Sequence, residues 1–233
     1  MKILVGVIQS EANQDVQDEW IRNLKELEGE HDVLIVENSF NDGNFEFLKD
    51  QFKHILKGPY FNTIRERIIE NRNIVLNWFR EHKEYDKLLL LDSDIFPPKE
   101  ALNELISTNK KIASSVCWIA GKANSNRVAW NFFEKDVESG FCEGLMDGIE
   151  ENKNYIREDG KIVEIMQTGL GCVLFDGKML RESDVEFRDD DIVFCEDFTF
   201  INDLNKLGYK TFLNMKVNCF HSMNKFRGGG IDG

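Results

Sequence analysis

Up to about residue 119 the chain alternates short apolar runs with amphipathic stretches, and this alternation restricts its fold more than any other feature. "KILVGVIQ" is apolar, β-branched and of strand length. "DVQDEWIRNLKELEG" follows with Val16, Trp20, Leu24 and Leu27 at helical spacing and Gly29 as the stop. "HDVLIVENS" reads as a second strand, and "NFEFLKDQFKHILKG" as a helix closed by Gly58-Pro59. "NTIRERIIENRNIVLNWFREHKEYD" reads as a long helix with Ile64, Ile68, Val75 and Trp78 or Phe79 on one side. The strand "KLLLLD", the helix "PKEALNELIST" and the strand "KIASSVCWI" complete the series. Strands and helices in alternation imply a mostly parallel sheet covered by helices on both faces, an α/β fold. The near-continuous apolar strands agree, because such strands are buried on both sides.

Beyond residue 119 the rhythm changes. "NRVAWNFF" and "KIVEIMQTGLGCVLFD" read as strands, separated by an acidic stretch, 136–160, without a periodic pattern. A short helix "GKMLRES", an acidic loop "DVEFRDDDIVFCED", a helix "FTFINDLNKLG" and a strand "KTFLNMKVNCFH" follow, and the tail "SMNKFRGGGIDG" is rich in glycine. The 233 residues suit one domain whose halves, 1–119 and 120–233, share a sheet.

The net charge of −13, from 42 acids against 29 bases, argues against a surface that neutralises a phosphate backbone, so nucleic acid is a poor partner. "MKILVGVIQS" reads as a first strand rather than a secretion signal, and no apolar stretch approaches the roughly 20 residues of a membrane span. The five cysteines, Cys117, Cys142, Cys172, Cys195 and Cys219, are odd in number and form no CxxC pair. They suggest buried reduced thiols and a cytoplasmic location rather than a disulfide framework or a zinc site.

Chemistry concentrates where apolar runs end. In "YDKLLLLDSDIFPP" four leucines run into Asp92 and Asp94. Side chains at i and i+2 of a strand point the same way, so both carboxylates project to one side if the strand continues. In open parallel sheets ligands bind beyond the carboxyl ends of the strands, and a divalent cation with hard oxygen ligands would relieve the repulsion there. The alternative is that the aspartates cap a helix announced by Pro97-Pro98. A second acidic pair, Glu196-Asp197 in "FCEDFTF", stands at a helix start, where the helix dipole alone favours acids. His221 ends the last apolar strand; His31, His54 and His82 have no comparable context.

Taken in order, Arg72-Asn73 in "ENRNIVLNWF", Asp92-Ser93-Asp94, Thr168-Gly169-Leu170-Gly171, Glu196-Asp197 and His221 resemble the motif series of GT-A glycosyltransferases, particularly family-2-like enzymes that use nucleotide-sugars. The resemblance covers nearly the whole chain and implies a GT-A, Rossmann-like fold: a nucleotide-sugar-binding half (1–119) and a smaller acceptor-side half with the tail (120–233). It implies a metal-dependent transferase moving one sugar from a UDP- or GDP-sugar to a hydroxyl of a glycan or other acceptor. Asp94, Asp92 and His221 would hold Mn²⁺ or Mg²⁺, imidazole favouring Mn²⁺ over Ca²⁺. Asp197, with Glu196 as the alternative, would be the general base of an inverting enzyme. Ser93 and Arg72 would contact the donor. Members often carry an aspartate after the second strand to bind the base; here "VENSFNDG" offers Glu37, Asn38 or Asp42 instead, which leaves the base open. Lys225 and Arg227 fit a lid on a glycine hinge. Trp118 and Trp130 are candidates for sugar stacking or for the core. Oligomeric state is open.

Three other readings compete. A haloacid-dehalogenase-type phosphohydrolase also ends a strand in DxD, but places it near the N-terminus and follows it with Thr or Val where this chain has Phe96. A sugar nucleotidylyltransferase needs a glycine-rich, basic loop after the first strand, and "GVIQSEANQD" is neither. A non-catalytic carbohydrate-binding module of the same fold is separated from an enzyme only by turnover. A P-loop NTPase is excluded for want of GxxxxGK[ST].

Overall fold

The structure is a computed structural model and describes residues 1–120, 128–130, 132–133, 161–189 and 196–222. Strands β1 (Ile3–Gln9), β2 (His31–Glu37), β3 (His54–Lys57) and β4 (Lys87–Leu91) pair in parallel in the order β3-β2-β1-β4. The sheet continues through β11 (Cys172–Asp176), which is antiparallel to β4 and to β6 (Ile112–Ala120). Next comes β12 (Thr211–His221), parallel to β6, and at the edge the two-residue β5 (Ile95–Phe96), antiparallel to β12. β7 (Val128–Trp130) pairs with β6 and β9 (Ile162–Ile165) with β12, while β8 (Phe132–Phe133) and β10 (Gln167–Thr168) form a separate ribbon.

Helices cover both faces. α1 (Gln17–Glu26), α2 (Gly43–Lys49) and α4 (Ala101–Ser107) pack Trp20, Leu24, Leu48, Leu102 and Leu105 against one face. α3 (Ile64–Glu81), α5 (Gly177–Glu182) and α6 (Glu196–Lys206) pack Ile69, Leu76, Phe79, Leu180 and Phe200 against the other. The leucines of β4 serve both layers: Leu89 and Leu91 face the first cluster, Leu88 and Leu90 the second. All four are buried, and each contributes roughly 1.5–3 kcal/mol relative to exposure. The two-sided core is what the alternating sequence predicts.

Three local expectations are corrected. The stretch expected as one helix from 44 to 58 divides: α2 ends at Lys49, and His54–Lys57 forms β3 on the exposed side of β2. Its Ile55 packs on one core cluster and its Leu56 on the other. Pairing with a free strand edge outweighs a helical propensity that fits equally well in isolation. Ile64 and Ile68, expected on the buried side of the long helix, line a cleft instead, and the core is served by Ile69, Val75, Leu76 and Phe79. Ile64 is exposed and Ile68 half-buried, whereas Ile69, Val75, Leu76 and Phe79 are buried. Third, α4 begins at Ala101 with Glu100 as its N-cap, so neither Asp92 nor Asp94 caps it.

α1 ends at Glu26, with Leu27 already extended, three residues ahead of the expected stop Gly29, whose φ of +117° lies in the left-handed region that favours glycine. Gly6 is needed for a different reason. A β-carbon there would lie 2.3 Å from Cγ1 of Val75, so its absence lets α3 close on β1. Gly6→Ala should lower stability by about 1–3 kcal/mol through overpacking. The check is a lower urea midpoint with unchanged slope.

Candidate active site

The cleft lies beyond the carboxyl ends of β1, β2 and β4, where an open parallel sheet offers space. It has a volume of about 510 Å³, and Asn13, Asn38, Arg67, Arg72, Asp92 and Asp94 are among the residues that line it. Asp92 and Asp94 both reach it, although not as neighbours on one strand face. β4 stops at Leu91, and the Ile95 N–H donates to the Asp92 carbonyl at 3.1 Å, closing a four-residue turn. Ser93 Oγ, at the turn's centre, accepts from Asn13 Nδ2 at 2.8 Å, tying the turn to the segment after β1.

The short β5 then pairs with the end of β12, setting His221 opposite Ile95. The Ser222 N–H donates to the Asp94 carbonyl at 2.8 Å. His221 Nε2 comes within 3.6 Å of Asp94 Oδ2. A histidine remote in sequence thus meets the second aspartate through strand pairing. Burial, and behind it the charge of Asp92, push the Asp94 carboxyl above its ordinary 3.8, while His221 and Arg72 pull it down.

Arg72 holds the other acids. Its side chain is 6% exposed. Nη2 donates to Asp92 Oδ1 at 2.9 Å, and Nη1 donates to Glu196 Oε1 at 3.0 Å and to Asp197 Oδ1. Asp197 Oδ2 accepts the Leu170 N–H at 3.0 Å, and the neighbouring Gly171 carbonyl accepts the Asp92 N–H at 3.0 Å. Asn73, next along α3, exchanges two 2.8 Å hydrogen bonds with the backbone of Phe187. Phe187 stacks on Phe200 of α6 with ring centroids 4.1 Å apart, so Asn73 anchors a residue that packs on the helix carrying Glu196 and Asp197.

The three expected metal ligands do not form one shell. Asp92 is turned to Arg72, whereas Asp94 and His221 face each other. Among the described residues no group of three or more His, Cys, Asp and Glu side chains is arranged to hold a metal. A carboxylate and an imidazole nevertheless suit Mn²⁺ or Mg²⁺ whose remaining positions are filled by phosphate oxygens and water. The raised Asp94 carboxyl fits too, since a cation there would offset the repulsion from Asp92.

Of the nucleoside candidates only Asn38 lines the cleft. Glu37 is fully buried: Oε1 accepts from Ser39 and Asn44, and Oε2 pairs with Lys57 Nζ at 2.9 Å. Asp42 is exposed and paired with the same lysine at 3.2 Å. Parity explains the division, because β2 turns Glu37 toward α2 and the next residue toward α3. The side chains of Trp118 and Trp130, Lys225, Arg227 and the acidic stretch 136–160 lie outside the described residues. Asn13 and Arg67 were not singled out from the sequence. Arg67 carried a signal, lying beside Ile68 on the helix face that Ile64, Ile68 and Arg72 mark at steps of four; Asn13, in an irregular turn, carried none. Cys117, Cys172 and Cys219 are buried and, among the described residues, form no disulfide, as expected.

The raised Asp94 carboxyl has a consequence for stability. Its protonated form favours the native state, a contribution present in full below 3.8 and lost as the pH rises through the elevated native value. Asp94→Asn should therefore raise the Tm of the metal-free protein at neutral pH. Calorimetric scans should show this gain closing as the pH falls toward 3.8.

The chain matches no protein-family profile and no curated protein sequence. Solved structures do resemble it. A197 from STIV superposes with a TM-score of 0.52 at 14% identity, over 95% of this chain and 85% of A197. S. aureus TarS 1–349 in complex with UDP superposes with a TM-score of 0.56 at 15% identity, over 97% of this chain and 62% of that one. A longer TarS chain gives 0.56 at 14% identity, with only 37% of its length covered. The neighbours share a GT-A-like architecture, and this chain has that fold: a mixed α/β sheet of mostly parallel strands flanked by helices.

Proposed function

We propose that this chain is a metal-assisted glycosyltransferase that moves one sugar from a UDP- or GDP-sugar to a hydroxyl acceptor. The observation that carries the reading is that three residues lining one cleft, Asp94, Asp92 and Arg72, gather others behind them: Asp94 faces His221, and Arg72 binds Asp92, Glu196 and Asp197. The structural neighbours, glycosyltransferases of the same fold, support it, and the UDP complex of TarS supports a nucleotide-linked donor. A bound Mn²⁺ or Mg²⁺ would neutralise charge developing on the leaving diphosphate.

Asp94 and His221 would hold the cation, and Asn38, Ser93 and Arg67 would border the nucleoside and phosphates. Asp197 would accept the proton of the attacking hydroxyl. The acceptor oxygen bonds to the anomeric carbon, the bond from that carbon to the diphosphate breaks, and its electron pair leaves with the nucleoside diphosphate. The proton rests on the Asp197 carboxylate. This inverts configuration at carbon, and the carboxylate is already oriented by Arg72 and the Leu170 N–H.

A calorimetric titration of UDP, GDP, CDP and ADP, each with Mn²⁺ and with EDTA, tests the reading. UDP or GDP should bind with Mn²⁺ and lose most of its affinity with EDTA, and Asp94→Ala should abolish the metal-dependent part while leaving the fold intact. If none of the four binds in either condition, the transferase reading is wrong. Phosphatase activity would then be assayed next.

A further inference from the structure

We infer that Arg72 is a positioning residue that sets the geometry of Asp197 from the donor side of the cleft, and is not a ligand of the donor diphosphate. The inference rests on the transferase reading and adds to it a coupling between the two halves of the site.

The reason is a closed ring. From Arg72, Nη2 reaches Asp92, and the Asp92 N–H reaches the Gly171 carbonyl. One residue back, the Leu170 N–H reaches Asp197 Oδ2, and Asp197 Oδ1 returns to Nη1 of Arg72. Asp92 and Asp197 are therefore joined by two routes, a guanidinium on one side and the Leu170-Gly171 backbone on the other. A carboxylate fixed through both oxygens has little freedom to rotate, so the lone pairs left for an acceptor proton point in one direction. The ring draws on four elements remote in sequence: α3, the end of β4, the Thr168–Gly171 segment and the first turn of α6.

Two features keep Arg72 off the diphosphate. Although it borders the cleft, its side chain is only 6% exposed, and its two terminal nitrogens already serve three carboxylates. A planar fork can direct Nη1 and Nη2 to partners on different elements, which the point charge of a lysine cannot reproduce. Arg72→Lys keeps the charge but surrenders one arm of the ring, and a misplacement of about 1 Å at a reacting group costs roughly 100-fold in rate.

The test uses the full chain as wild type, Arg72→Lys, Asp197→Asn and the double variant. The nucleotide that wild type binds with Mn²⁺ gives the affinity, and slow hydrolysis of the matching nucleotide-sugar, with water as acceptor, gives the turnover. Arg72→Lys should bind that nucleotide as wild type does, with turnover reduced about 100-fold. The double variant should be no slower than Asp197→Asn alone, because the two residues act as one unit. Wild-type turnover in Arg72→Lys, a loss of nucleotide affinity as large as the loss of turnover, or multiplying losses in the double variant would each overturn the inference while leaving the transferase reading intact. No nucleotide binding to wild type would overturn both. Should Arg72→Lys fail to fold, phenylglyoxal labelling of wild type, read by peptide mass spectrometry, decides the matter. Arg72 should stay unlabelled with and without nucleotide and Mn²⁺, and labelling that nucleotide suppresses would assign it to the diphosphate.

Discussion

One guanidinium ties the end of β4 to the start of α6. Arg72 is anchored in the longest helix, and its three carboxylate partners come from a strand end and from a helix more than 120 residues later. Removing so many charges from water is costly, and such a cluster persists only where geometry and further hydrogen bonds compensate. The compensation is visible in the Leu170 and Gly171 backbone, which completes what the arginine begins. Asn73 extends the same anchorage through neutral hydrogen bonds to Phe187. Two adjacent residues of α3 thus hold the acids and Phe187.

Around that anchor the cleft is divided by charge. Arg72 occupies Asp92, which leaves Asp94 facing His221 across 3.6 Å. The turn at 92–95 makes this possible by ending β4 and starting β5, whose pairing with β12 brings in the histidine. Farther along the sheet edge Lys57 occupies Glu37 and Asp42, so the carboxylates after β2 are tied to a lysine and the polar group facing the cleft is Asn38. In both places a basic side chain decides which acids remain for a ligand.

Much of this architecture is legible in the residues. The apolar runs of β1, β2, β4, β6, β11 and β12, the spacing of Val16, Trp20, Leu24 and Leu27, and Gly29 all act locally or through burial, and burial leaves its period in the sequence. The acids and His221 were legible as candidates because they interrupt apolar runs. Long-range pairing left no such trace: His54–Lys57 has the composition of a helix end and becomes a strand only because β2 offers an unpaired edge.

The residues alone thus establish the class of fold, the strands that are buried on both faces, and the positions where chemistry is concentrated. How those positions are shared out depends on the packed fold: Asp92 to Arg72, Asp94 to His221, Glu37 to Lys57, and Asp197 between Arg72 and the Leu170 N–H. The physical reason is range. Hydrophobic burial repeats with the local period of the backbone, whereas an ion pair or a hydrogen bond depends on a separation of a few ångströms between residues that strand order and helix packing bring together.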